Sequence, residues 1–144
     1  MKLNVPELKR KAFSAHQKGN YEKAERFYKK ILTINSNDIN VYNLLAVVQK
    51  NLGKLIEAEK NFKKILKIKP SSPDVHYNLG NMFRQKKRYD EAIESYKYAI
   101  KIKSNFIDAY YNLATTYKEI ERYEEAIKNY KKVLELNPNY KELN

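Results

Sequence analysis

The sequence predicts an all-α chain of stacked helix-turn-helix units, on three observations: a 34-residue internal period, two apolar patterns at helical spacing within each period, and turn-forming residues between them. Tyr77-Asn78-Leu79-Gly80 returns as Tyr111-Asn112-Leu113-Ala114, and Asn43-Leu44-Leu45-Ala46 stands at the same offset before it. The offset also joins Tyr21-Glu22-Lys23-Ala24, Leu55-Ile56-Glu57-Ala58, Tyr89-Asp90-Glu91-Ala92 and Tyr123-Glu124-Glu125-Ala126. Four repeats follow: 5–38, 39–72, 73–106 and 107–140.

Each repeat reads as a helical hairpin. In the first two, Gly19 and Gly53 fall between the helices, where a positive φ costs glycine little. In the third, the first helix should run from about Asp74 to Lys86, with Ser72 placed to cap it and Pro73 suited to its first position. Arg88-Tyr89 then turns the chain into a second helix, from about Asp90 to Ile102. In the fourth, the second helix should span about Glu124 to Leu136. Pro70 and Pro138 stop the second helices of their repeats, and Ser36 and Ser104 take that place in the others. Tyr140 then opens what reads as the incomplete first helix of a fifth repeat, residues 141–144. A lone hairpin cannot bury its apolar face, so neighbours must stack into a solenoid with a concave side.

Composition removes other classes. With 3 Gly, 4 Pro and 42% hydrophobic residues in 144, the chain is neither collagen-like nor a disordered linker. It has no cysteine, hence no disulfide or thiolate site. No apolar run is long enough for a signal peptide or a membrane span, so a cytoplasmic protein is the expectation.

A net charge of +12 invites a nucleic-acid reading. The lysines argue against it. Lys29-Lys30, Lys63-Lys64, Lys97 and Lys131-Lys132 recur at one place in the second helices, a solvent-facing stripe with no base-stacking aromatic or Arg fork interleaved. There is no Gly-rich phosphate loop and no Gly-x-Ser-x-Gly, and the acidic pairs Glu57/Glu59 and Glu124/Glu125 read as solvated helix surface, so no catalysis is expected. His76 takes a place that Leu8, Tyr42 and Tyr110 fill elsewhere, and His16 has no second histidine at helical spacing. Neither a metal nor a cofactor is expected.

Over residues 5–140 these patterns resemble the tetratricopeptide repeat, which places large or aromatic residues at repeat positions 4, 7, 11 and 24, small ones at 8 and 20, and proline at 32. The fourth repeat carries Tyr110, Leu113, Ala114, Tyr117, Ala126, Tyr130 and Pro138 there, and the third follows closely with Gly80, Ala92 and Tyr96. The second departs at Gln49, where an aromatic is usual, and the first at Lys11.

The resemblance implies a right-handed superhelical solenoid of antiparallel helix-turn-helix repeats, and a protein–protein interaction scaffold that receives a partner peptide or helix in a concave groove lined by the first helices. Carried over position by position, the groove residues are Phe13, Leu44, Val47, Tyr77, Asn78, Asn81, Arg84, Tyr111, Asn112 and Lys118. The groove would be apolar at its N-terminal end and lined by amides and tyrosines at its C-terminal end. His16, Lys50, Arg84 and Lys118 form a column of basic type along its edge, favouring an acidic or phosphorylated segment.

Of the carboxylate clamp of chaperone-adaptor members only Lys9 and Asn78 match, in different registers, so chaperone tails are not expected as partners. Asn78 and Asn112 look like the asparagine ladder of O-GlcNAc transferase-type arrays. The alternative to a free scaffold is an accessory array of a larger glycosyltransferase- or sulfotransferase-like enzyme. A third reading is self-association through the C-terminal helix, whose outer apolar surface is expected to be left partly uncovered, or else that the chain is a fragment of a longer array.

Overall fold

The computed structural model describes residues 4–141, and within them places eight α-helices and no strand. These are α1 (Val5–Gln17), α2 (Tyr21–Ile34), α3 (Ile39–Asn51), α4 (Leu55–Ile68), α5 (Pro73–Gln85), α6 (Tyr89–Ile102), α7 (Ile107–Glu119) and α8 (Tyr123–Leu136). They divide between two compact units, Met1–Pro70 and Ser71–Asn144. Of the fifth helix expected from residue 141, only Lys141 lies among the described residues.

In the first unit α1 pairs with α2 and α3 with α4, and α2 packs on α3. Local chemistry starts these helices. Asn4, Asn20 and Asp38 each accept a hydrogen bond from the backbone N–H three residues on, satisfying donors that the first turn leaves unpaired. The core is Leu8, Ala12, Ala24, Tyr28, Ile31, Val41, Leu45 and Val48, all buried.

In the second unit α5 pairs with α6, α7 with α8, and α6 packs on α7. Ser72 stands at the N-cap of α5, but its side chain makes no capping bond. Pro73, at the first helical position, brings no N–H to be capped. Ala99, Phe106 and Ala109 bury together, with Tyr77 and Ile100 packed against them.

All four hairpins turn in the same way. At the end of each first helix one N–H reaches five residues back and its predecessor three back: Asn20 to Ala15 and Gly19 to His16, Lys54 to Gln49 and Gly53 to Lys50, Arg88 to Phe83 and Lys87 to Arg84, Arg122 to Tyr117 and Glu121 to Lys118. This closure demands a left-handed residue at one place. Gly19 and Gly53 fill it at φ 76°. Lys87 (φ 60°) and Glu121 (φ 63°) fill it in the second unit, where each side chain must bear a conformation that L-residues disfavour.

Small residues set how closely each hairpin closes. Ala24, Ala58, Ala92 and Ala126 are buried on the second helices, and Ala12, Ala46, Gly80 and Ala114 on the first. At Gly80 a Cβ would lie 2.6 Å from Cε1 of the fully buried Tyr96.

Gly80→Ala should therefore lose stability, by about 1–3 kcal/mol, although alanine is the better helix former by about 1 kcal/mol. Lys87→Gly, relieving the left-handed position, should leave stability unchanged or raise it by up to about 1 kcal/mol. Urea denaturation of the two variants checks both signs.

Candidate functional site

The first-helix face of the second unit joins several of the residues singled out above. Tyr77, Asn78, Asn81 and Arg84 stand on α5; Tyr111, Asn112 and Lys118 stand on α7, and the two helices touch. Asn112 Nδ2 donates to the Tyr77 hydroxyl at 3.0 Å and to Asn81 Oδ1 at 2.8 Å. From beneath, the hydroxyl of Tyr96 on α6 donates to the same Asn81 oxygen at 2.6 Å. Two first helices and one second helix are thus tied by a single amide pair.

Burial holds both phenols of this cluster neutral. It pushes the pKa of Tyr77 up, against the opposing effect of Asn81, and that of Tyr96 up further still. Tyr77 packs on Phe106 with ring centroids 4.9 Å apart. Tyr111 lies between the rings of Tyr130 at 5.7 Å and Tyr140 at 5.3 Å, and the Tyr130 hydroxyl meets Thr115 Oγ1 at 2.9 Å. Asn78 is half-buried on α5 and Lys118 exposed on α7.

Asn112 modifies the ladder reading. Its N–H donors are spent within the chain, and its carbonyl Oδ1 has no partner there. No buried side-chain oxygen or nitrogen among the described residues is unsatisfied, so this oxygen is open to solvent. It can accept from a peptide N–H. It cannot grip both edges of a peptide while its amide nitrogen is held.

In the first unit the apolar candidates separate. Phe13 on α1 is 52% exposed. Leu44 packs against the core cluster, and Val47 is half-buried on the same helix.

The column of basic type is less basic than its residue types imply. His16 is drawn in between Tyr21 and Tyr28, bonded through Nδ1 to the Tyr28 hydroxyl at 3.1 Å, and burial lowers its pKa, so it is neutral at pH 7. Arg84 Nε donates to Glu119 Oε1 at 2.9 Å. Burial lowers the pKa of Lys50. Lys118 is the exposed cation of the four.

Sequence reasoning missed a buried polar set in the first unit. Glu25, 5% exposed, takes Gln49 Nε2 at 3.2 Å and Lys54 Nζ at 2.6 Å, while Asn61 Nδ2 donates to Gln49 Oε1 at 2.7 Å. A signal was present. Gln49 stands where Phe83 and Tyr117 stand in later repeats, and Glu25 where Ile93 and Ile127 stand, so two facing apolar positions turn polar together. Burial alone would raise the Glu25 pKa. Lys54, Gln49 and Lys29 outweigh it and hold the carboxyl below the usual range.

Among the described residues no group of three His, Cys, Asp or Glu side chains could hold a metal ion, and no helix is long and apolar enough to cross a membrane.

Profiles described as tetratricopeptide repeat match residues 15–81 and 107–140, and one described as TPR repeat matches residues 80–121. No curated protein matches in sequence comparison. Among solved structures, a crystal structure of MamA superposes with a TM-score of 0.81 at 24% identity, over 97% of this chain and 78% of that one. A MamA RS-1 ArsTM double mutant gives 0.82 at 25% identity, over 93% and 75%. MamA 41-end from Desulfovibrio magneticus RS-1 gives 0.86 at 17% identity, over 96% and 78%. These likenesses establish an all-α fold of the helix-turn-helix solenoid class.

The Glu25 set generates a pH signature. Because the folded pKa is depressed, its contribution is complete above the unfolded value near pH 4.3 and is lost as pH falls through the folded value. Glu25→Gln should cost about 1–3 kcal/mol at pH 7. The gap in melting temperature between the natural protein and this variant should be widest at neutral pH and shrink below about pH 4, as thermal melts from pH 7 to pH 3 would show.

Proposed function

Since this chain carries tetratricopeptide repeats, a fold that serves as a protein-interaction scaffold, we propose that its four hairpins form one array over residues 5–140 that binds an extended or helical segment of a partner protein on its first helices. The observation that carries this reading is the Tyr77–Asn112–Asn81–Tyr96 cluster. It holds one tyrosine and two amides in set orientations on adjacent first helices, with the buried Tyr96 of α6 bonded beneath them, so little side-chain entropy is lost when a ligand is bound. Tyrosine suits such a surface, joining a broad apolar ring to one polar tip. Exposed Phe13, with Val47, supplies an apolar anchor on the first-helix face of the other unit. Lys118 and Lys50 retain a preference for an acidic segment. The role assigned is binding, with no catalysis, whether the chain acts alone or as an accessory array beside an enzyme.

A pull-down with the intact chain identifies the partner. Phe13→Ala and Asn112→Ala should each weaken its capture about tenfold or more, with the helical circular dichroism spectrum retained. Loss of capture on neutralising Lys29, Lys63 and Lys131 instead would place the site on the second helices.

A separate observation favours self-association. On α8, Tyr123 is 56% and Ile127 53% exposed, whereas the corresponding Tyr89 is half-buried and Ile93 only 5% exposed, because α7 packs on α6. The α8 surface is one that the fold normally covers. Sedimentation velocity should show concentration-dependent association that Ile127→Glu abolishes; a strict monomer across a wide range would remove this role from α8.

A further inference from the structure

The first hairpin carries a cleft of about 540 Å³ between α1 and α2, lined by Arg10, Lys11, Lys18 and Lys23, with Ala15 and Phe27 among its apolar lining. None of these four cations has an ion-pair partner among the described residues. No acidic side chain lines the cleft. Elsewhere some cations do meet acids: Lys9 reaches Asp38, Lys29 and Lys54 reach Glu25, Lys63 reaches Glu59 and Arg122 reaches Glu125.

The second hairpin shows what such a face accepts. There the corresponding residues are Leu45 for Lys11, Leu52 for Lys18 and Glu57 for Lys23. Leu45 and Leu52 belong to the packing around α2 and α3, and α2 sets the Glu25 carboxylate against Gln49 and Lys54. In the second hairpin this face seats a helix, α2, and Gln49 and Lys54, which meet its carboxylate, correspond to Ala15 and Asn20 of the first hairpin. In the first hairpin the seat keeps its place on the helices but exchanges two leucines and a glutamate for three lysines.

We propose that this cleft is a docking site for an acidic amphipathic helix of a partner protein, distinct from the surface assigned above and independent of it. Charge complementarity selects the occupant. Four exposed, unpaired cations about one cleft favour several carboxylates at once. A second copy of this chain fits poorly, since α8 carries Glu124, Glu125 and Glu135 against Lys128, Lys131 and Lys132 and so offers no net negative charge. A nucleic acid finds no exposed aromatic to stack on, because Phe27 is packed against the core of the unit.

The test uses the intact protein and a probe copied from its own helix. The probe is a fluorescent peptide of the sequence Tyr21–Ile34 bearing Lys23→Glu, Arg26→Glu, Lys29→Glu and Lys30→Glu, stapled on its outer face to hold it helical. Fluorescence anisotropy should show saturable binding that weakens at least about tenfold in the Lys11→Glu/Lys18→Glu protein and also falls between about 0.05 M and 0.5 M salt. Phe13→Ala should leave it unchanged. The milder Lys18→Ala/Lys23→Ala protein should weaken binding in the same direction, and circular dichroism confirms that each variant is folded. Equal binding to the natural and charge-reversed proteins would overturn the proposal. So would equal binding of a scrambled peptide of the same composition, which would reduce the cleft to unspecific charge. Displacement of the peptide by oligothymidylate of the same charge, at lower concentration than unlabelled peptide, would overturn it in favour of a nucleic-acid surface.

Discussion

The close approach of two helices at a small residue, with one aromatic ring between them, is the constraint on which the rest of the molecule depends. Ala12 faces the level of Tyr28, Ala46 that of Phe62, Gly80 that of Tyr96 and Ala114 that of Tyr130. Tyr28, Phe62 and Tyr96 are almost wholly buried, so each ring is a fixed spacer rather than a mobile filler. In the third hairpin the spacer comes closest, against the bare backbone of Gly80. A hairpin held this way buries one face and leaves another to be covered by its neighbour, as α2 does for α3 and α6 for α7.

The same ring links packing to function. Where the spacer is tyrosine, its hydroxyl emerges near the first helix and finds a polar partner: Tyr28 meets His16, Tyr96 meets Asn81 and Tyr130 meets Thr115. Phe62 carries no hydroxyl, and Asn61 beside it turns to Gln49 instead. Core packing thus sets the orientation of side chains on the binding face. In the third hairpin this is decisive, because Tyr96 holds Asn81 and Asn81 holds Asn112. A surface amide positioned through a buried ring is stiffer than one standing alone.

Charge is distributed on a different principle. The net +12 leaves many cations without an acid, and the acids that are paired meet specific cations, as Asp38 meets Lys9, Glu25 meets Lys54, Glu119 meets Arg84 and Glu125 meets Arg122. Glu25 shows the cost of departing from an apolar interface: once buried, it requires Gln49, Lys54 and Lys29 around it. In return the contact is specific in register, since displacement of α2 along α3 would leave the Glu25 carboxylate and the Gln49 Nε2 donor without each other.

Periodicity made the eight helices legible, because apolar spacing and turn residues are local properties written once in every repeat. Gly19 and Gly53 announced their left-handed turns; Lys87 and Glu121 did not, because only closure of the same bonded turn forces a side-chain-bearing residue into that conformation. The candidate groove residues were legible as positions but not as states. Residue type marked Asn112 as a polar contact and His16 and Arg84 as basic, whereas folding spent the amide donors of Asn112 on Tyr77 and Asn81, buried His16 and paired Arg84 with Glu119. By itself the sequence determined the repeat, the helices and which positions face one another. Only the tertiary structure decided which polar groups remain available to a partner, because hydrogen bonding and burial depend on distances between residues that lie 15 to 35 positions apart along the chain.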